Sequence, residues 1–383
     1  MDAQRQQLID AVRAAAADGR TLRLRGGGTK DFWGMPLRGQ VLDTRDYTGV
    51  ISYEPSELVV TVRCGTPLAE LEATLAEKGQ CLAFEPPHFG LGATVGGMVA
   101  AGLSGPARAS VGAVRDFVLG ARCINGKGED LTFGGQVMKN VAGYDLSRLL
   151  AGSWGTLGIV TEVSLKVLPV ALAEATLMCA GIGQQAALDL LHRWGGQPLP
   201  LNASAWVHDT TADPGDDYLF VRLRGAVAAV ESAVTRMGAD AQALGARVTR
   251  MDNAEAETDW RASSEQTLQF FEPPAPDLCL WRLSVPQTAT ALDLPWPQYI
   301  EWQGAQRWLW APATSVGVLR QAAQAVGGHA TLFRASRAAT AEGASDKAVG
   351  VSTPLDAVQQ RIEHELQKQF DPHGVFATGR MGI

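Results

Sequence analysis

The chain has 383 residues, 46% of them hydrophobic and 19% charged, with a formal net charge of −7. That is long enough for two domains with sizeable cores, and the composition is that of a soluble globular protein. The acidic balance and the lack of any Lys/Arg run argue against nucleic acid as a partner.

Residues 4–17 place Leu8, Ile9, Val12 and Ala16 on one face, predicting an opening helix that Asp18-Gly19 ends. No basic-then-apolar leader pattern precedes it, and no apolar run reaches membrane-spanning length. Any membrane contact is therefore expected to go through a partner. Thr21 to Arg25 alternates like a strand and runs into Gly26-Gly27-Gly28-Thr29-Lys30. Glycines remove the Cβ obstruction to a diphosphate, and Thr29 and Lys30 add a donor and a charge. The same three glycines could equally form a plain flexible turn. The pattern is neither a Walker loop nor GxGxxG, so a Rossmann domain is disfavoured.

Strands are predicted at Val41 to Asp43 and Leu58 to Val62. Thr66 as N-cap and Pro67 at the first position predict a helix through Leu68, Leu71 and Leu75. Another strand is expected through Leu82 to Phe84. The chain then enters the stretch around which it is organised, Pro86 to Val160. This holds Gly92-Ala93-Thr94-Val95-Gly96-Gly97, Gly112-Ala113-Val114-Arg115-Asp116, Gly143-Tyr144-Asp145-Leu146 and Gly152-Ser153-Trp154-Gly155-Thr156-Leu157-Gly158-Ile159-Val160-Thr161. Glycine at this density is entropically costly, and is tolerated where backbone must take positive φ or approach a ligand closely. Such loops present N–H groups to phosphate, so this half of the chain is expected to wrap a large phosphate-bearing cofactor. Within it, Val118 to Ile124 reads as a strand and Asn125-Gly126-Lys127-Gly128 as a hairpin turn.

From Ala175 the order is strand, helix, strand, strand, helix, as in a ferredoxin-like sandwich. A strand near Leu278 to Leu283, a hairpin from Tyr299 to Trp310, a helix from Ser315 to Val326 and a strand at Ala330 to Phe333 follow. Residues 338–349 read as a mobile loop. The C-terminal helix, Leu355 to Phe370, is expected to bury Leu355, Val358, Ile362, Leu366 and Phe370.

The ordered motifs Arg25 to Lys30, Thr94-Val95-Gly96-Gly97, Gly143 to Leu146 and Gly152 to Thr161 resemble the FAD-binding domain of the vanillyl-alcohol-oxidase/PCMH-type flavoproteins. The tail Phe370-Asp371-Pro372-His373-Gly374 resembles that family's C-terminal signature. Within the family, Pro86-Pro87-His88-Phe89-Gly90, the 112–120 segment, Glu301-Trp302 and Arg307-Trp308 resemble the FAD-binding subunits of heteromeric glycolate oxidases. The resemblance implies an α+β fold: a PCMH-type FAD-binding domain of two α/β subdomains over residues 1–170, and a ferredoxin-like α+β cap or docking domain over 171–350. A helix and tail over 351–383 would return to the FAD domain. It implies oxidation of glycolate to glyoxylate in a complex with a second FAD-containing subunit and an iron–sulfur subunit, located in the cytoplasm or at the inner membrane face. A self-sufficient FAD-dependent oxidoreductase of another 2-hydroxy acid or alcohol, and a structural subunit without redox function, are the alternatives.

Carried over by motif, Arg25, Gly26, Gly27, Gly28, Thr29 and Lys30 would hold the FAD diphosphate. Thr94, Gly96, Gly97, Gly112 and Asp116 would line its central length, and Pro87, His88 and Gly143 would also bind the cofactor. Gly152, Ser153, Gly155, Gly158 and Val160 would lie along the adenosine or the ring. Several relatives carry a histidine after the three glycines that attaches FAD covalently. Here Thr29-Lys30 stands instead, so FAD is expected to be noncovalent.

Oxidising a 2-hydroxy acid at a flavin needs a base for the hydroxyl proton and a cation for the carboxylate. His88 is the candidate base, against the plainer reading that it braces the Pro86-Pro87 turn. Arg307 is the candidate cation, against pairing with Glu301 across its hairpin. Trp302, Trp308 and Trp310 read as core or subunit interface rather than as a ligand wall. Five scattered cysteines, Cys64, Cys81, Cys123, Cys179 and Cys279, form no CxxC pair. With six histidines at no ligand spacing, they predict no disulfide framework and no metal.

Overall fold

The computed structural model describes residues 2–135, 145–210, 215–339 and 344–382. Two compact units divide the chain. One comprises Met1–Ser104, Gly112–Val170 and Pro354–Ile383, and the other Gly105–Val111 and Ala171–Thr353.

In the first unit, β-branched runs make a five-stranded antiparallel sheet. Its spatial order is Val50–Glu54, Val59–Arg63, Ile159–Lys166, Val118–Ile124, Asp130–Gly134. The Asn125 turn joins the last two as the sequence predicts, with Ile124 opposite Asp130. A separate parallel pair, Leu22–Arg25 and Gln40–Asp43, carries the first glycine loop. The helix Ala3–Ala17 is capped by Asp2, whose side chain accepts from the Gln4 amide. It buries Leu8, Ile9, Val12 and Ala15 against Leu22, Ile124, Ile159, Val375 and Phe376. The last two belong to the tail. After the helix Ala357–Phe370, the Asp371 carboxylate accepts from the Val375 amide at 2.8 Å and the Phe376 amide at 2.6 Å. This tight turn drives both side chains into the core.

The second unit is one eight-stranded sheet in the order Arg247–Arg250, Ala173–Ala180, Asp216–Gly225, Leu201–Asp209, Gln298–Glu301, Gln306–Ala311, Cys279–Ser284, His329–Arg334. Every neighbouring pair is antiparallel. Its first four strands, with the helices Gln184–Gly195 and Val227–Gln242, form the expected ferredoxin-like unit. The sheet then continues, with the helix Val316–Ala325 packed on the later strands. One sheet face is the core, built from Ala175, Leu177, Leu219, Val221, Trp281 and Leu283. By the period of two, Met178, Phe220, Arg282, Glu301 and Trp308 take the other face.

Some local expectations need correction. Pro67, not Thr66, is the N-cap of Leu68–Ala76, because the Thr66 hydroxyl donates to the Arg63 carbonyl at 2.7 Å instead. Leu82 to Phe84 is not a strand; pairing stops at Gln80–Cys81. Val358 and Ile362 on the C-terminal helix are exposed, and only Phe370 is buried. A helix spans Asn253–Glu265 where none was predicted. The segment read as a mobile loop contains the short helix Ala344–Lys347.

Candidate functional site

The first unit holds an open cleft of about 770 Å³, counted to its mouth. Its floor is the loop after the strand Leu22–Arg25, packed on a second glycine loop. A Cβ on Gly27 would lie 1.5 Å from the Gly92 carbonyl oxygen, and one on Gly26 would lie 2.5 Å from Thr94 Oγ1. Only glycine lets the two loops close on each other. Gly28 sits at φ 71° and turns the loop. Among the described residues the backbone N–H groups of Gly26, Gly27, Gly28 and Thr29 have no hydrogen-bond acceptor. Four consecutive free amides on a concave loop form an anion-accepting nest, and an unfilled donor is costly away from water.

Thr94 caps the helix Val95–Ala101 by accepting from the Gly97 amide at 3.1 Å. A Cβ on Gly96 would lie 2.9 Å from the Cys64 carbonyl oxygen. Gly155, Gly158 and Val160 complete the opposite wall. The far end is built by two residues that the sequence did not single out as a pair. Trp154 takes φ 52° and stacks on Trp33 with ring centroids 4.1 Å apart. The Arg380 guanidinium, brought by the tail, lies 4.7 Å from the Trp154 ring. Arg380 Nη2 donates to the Lys30 carbonyl at 2.7 Å, while its buried Nε has no acceptor. Burial pulls the Arg380 pKa down to about 10.

The cleft thus gathers Arg25, Gly26, Gly27, Gly28, Thr29, Lys30, Thr94, Gly96, Gly97, Gly155, Gly158 and Val160. Arg25 pairs with Asp31 at 2.8 Å, and the buried Lys30 ammonium donates to the His88 carbonyl at 3.1 Å. Pro87, His88, Gly112, Asp116, Gly152 and Ser153 do not line it. His88 Nε2 is held by the Glu72 carboxylate at 2.9 Å. Asp116 accepts from the Ala113 amide at 2.8 Å, at the start of a short helix whose preceding Gly112 takes φ 104°. The Gly152 amide donates to the Val99 carbonyl at 3.0 Å and the Ser153 hydroxyl to the Leu150 carbonyl at 2.9 Å. Gly143 lies outside the described residues.

Arg307 is not placed as a substrate cation. It is fully buried, and it donates to the carbonyls of Gly304, Thr290 and Ala289 at 3.2, 2.8 and 2.8 Å. It braces a loop. Nor does it face Glu301, because Ile300 is its register partner. Glu301 is instead buried and accepts from Trp308 Nε1 at 2.7 Å, Gln306 Nε2 at 2.9 Å and Ser263 Oγ at 3.0 Å. Burial holds its carboxyl above the ordinary range. Trp302, Trp308 and Trp310 are all buried. Among the described residues, no His, Cys, Asp or Glu group is arranged to hold a metal ion, and no helix is long and apolar enough to cross a membrane.

Comparison with known proteins gives this cleft its context. A family model described as an FAD binding domain matches residues 3–134. The chain is 43% identical to the glycolate oxidase subunit GlcE of Escherichia coli (strain K12) over 376 residues, which is 98% of this chain and 97% of that one. It is 33% identical over 156 residues to the glycolate oxidase subunit GlcD of Bacillus subtilis (strain 168), covering 40% of this chain and 33% of the relative. An alkyldihydroxyacetonephosphate synthase structure superposes with a TM-score of 0.68 at 14% identity, over 97% of this chain and 74% of that one; at that identity it speaks for the fold alone. The free amides of the glycine nest suit the diphosphate of the cofactor that the family model names. The chain therefore belongs to the family of glycolate oxidase subunit GlcE, and its cofactor is FAD.

Proposed function

We propose that the chain is the FAD-carrying subunit of a heteromeric enzyme that oxidises glycolate to glyoxylate. The observation that carries this reading is the run of four unpaired amides, Gly26 to Thr29, on the floor of a glycine-walled cleft. Those amides hold the diphosphate, with the Arg25 guanidinium beside them. Thr94, Gly96 and Gly97 flank the cofactor's middle, and Gly155, Gly158 and Val160 its far wall. When bound, FAD supplies the acceptor for the hydride that leaves the α-carbon of a 2-hydroxy acid. Trp154, wedged between Trp33 and Arg380, closes one end of the cleft. No residue seen to line the cleft supplies an attachment point of the histidine type, and FAD is held without a covalent bond. Gly112, Asp116, Gly152, Ser153 and His88 support the surrounding loops rather than the cofactor.

The GlcE relative is named as a subunit, which supports assembly with a second flavin subunit of the GlcD type. An iron–sulfur subunit and attachment at the inner membrane face through partners complete the proposal. The test follows the visible spectrum of the purified chain, alone and reconstituted with its partner subunits, on anaerobic addition of glycolate. Flavin bands in the chain, bleached by glycolate in the assembly, are expected. A folded, colourless chain that cannot be loaded with FAD would overturn the proposal, as would an assembly whose flavin glycolate leaves oxidised. Acid precipitation should release all flavin to the supernatant; a yellow pellet would overturn the noncovalent assignment.

A further inference from the structure

Arg282 lies on the strand Cys279–Ser284 of the second unit, pointing away from the core that Trp281 and Leu283 fill. Its cross-strand neighbours are Trp308 on one side and Thr331 on the other. Its guanidinium carbon is 5.6 Å from the Phe333 ring centroid. Among the described residues it forms no ion pair, and its Nε is enclosed without an acceptor. Burial first, and then the charge of Arg108, which stacks on Trp302 at 4.3 Å, pull the Arg282 pKa down to about 10. His329, opposite Ser284 and so one step along the same sheet face, has its pKa lowered by burial first and then by Arg282. A partly desolvated cation next to a second cation, without a carboxylate, is costly. The planar fork of an arginine matches a carboxylate in two parallel hydrogen bonds.

We propose that Arg282, supported by Arg108 and His329, forms an anion site that takes a small carboxylate, the carboxylate end of the two-carbon 2-hydroxy acid. Identifying the anion with that substrate rests on the glycolate reading above; the anion site itself does not. The Phe333 ring beside the guanidinium and the cross-strand Trp308 offer no acceptor, which leaves the Arg282 donors as the polar contact. Arg282, unlike Arg307, whose donors are filled by carbonyls, is thus the candidate cation for a carboxylate.

Oxalate is the probe: it has two carbons and two carboxylates, and no α-hydrogen to be removed. Its binding to the FAD-loaded chain is measured by calorimetry and by its effect on the melting temperature, in wild type, Arg282→Met and Arg282→Gln. The wild type is expected to bind oxalate and to melt higher with it. Each variant should bind it at least about tenfold more weakly, the loss expected for a charge-assisted hydrogen bond. Flavin content should stay at the wild-type level. Without oxalate the variants should melt at or above the wild-type temperature, since an unpaired charge has been removed, whereas loss of a structural strut would lower it. Unchanged oxalate affinity in either folded, flavin-loaded variant would overturn the proposal, as would a wild type that binds no oxalate. Oxalate binding lost in the variants beside an assembly that glycolate does not bleach would keep the anion site and remove glycolate as its ligand.

Discussion

Replacing Gly27 by alanine adds a single methyl group where the two glycine loops meet. That carbon would sit 1.5 Å from the Gly92 carbonyl oxygen and 2.2 Å from its carbonyl carbon, whereas ordinary contact begins at 3.4 Å. The loops must part by about 2 Å to admit it. Overpacking costs about 1–3 kcal/mol where side chains can give way. Here the obstacle is backbone on both sides, so about 3 kcal/mol is expected. For a unit of this size that lowers the melting temperature by about 6–12 °C. The free amides of Gly26 to Thr29 move with the loop, so flavin retention should fall further than stability does. The assay is the flavin-to-protein absorbance ratio together with thermal melting, read beside Gly152→Ala. A Cβ there meets nothing within 4 Å, and only its φ of +88° is strained, at about 1–2 kcal/mol. The control should therefore keep its flavin. Gly27→Ala with wild-type flavin content and melting temperature would refute the claim that these loops are closed by glycine contact.

Three further outcomes follow from the geometry. Arg380→Met removes the contact over Trp154 and the hydrogen bond to the Lys30 carbonyl; it should cost about 1–3 kcal/mol and weaken flavin retention, measured by melting and by flavin titration of the apoprotein. Because burial raises the Glu301 pKa, the folded chain keeps that proton after the unfolded chain has lost it. Stability should therefore fall as pH rises above about 4.3, the ordinary value for glutamate, through the raised one, and Glu301→Gln should flatten that slope in pH-dependent denaturant melts. Burial pushes the thiols of Cys123 and Cys279 up to about 12 and that of Cys179 to about 11, and raises Cys64 as well. A thiol reagent should therefore label Cys81 first in the native chain and all five cysteines only after unfolding.

The elements set by local chemistry were readable in advance. The Asp18-Gly19 stop, the Asn125 turn and most of the strands need only their own residues and appear, the strand expected at Leu82 to Phe84 being the exception. The glycine loops were readable as places of close approach, but not what approaches. The Cα of Gly27 meets Gly92, 65 positions on, while its amide faces no acceptor among the described residues. Partners for long polar side chains were not readable at all. Arg307 and Arg282 look alike in sequence, each flanked by tryptophan, yet one has its donors on three carbonyls and the other donates to none among the described residues. That difference is decided by where the 286–292 loop lies, which no local rule states. The helix Asn253–Glu265 did leave a signal that went unread: Asp252 three residues before Glu255, with the Asp252 side chain accepting from the amides of Ala254 and Glu255. The exposed Val358 and Ile362 show the opposite failure, because an apolar stripe on a helix need not be covered by its own chain.

The first unit takes its core from both ends of the chain. Val375 and Phe376 pack with Leu8, Val12 and Leu22, the Leu22 amide donates to the Val375 carbonyl at 2.6 Å, and Arg380 closes the cleft. During synthesis, therefore, residues 375–380 must emerge before this unit can be sealed, whereas the second unit has all its strands once residue 334 has emerged. The half that carries the cofactor is thus begun first and sealed last, and FAD capture waits for the segment 375–380, leaving the open unit exposed to chaperones in the interval.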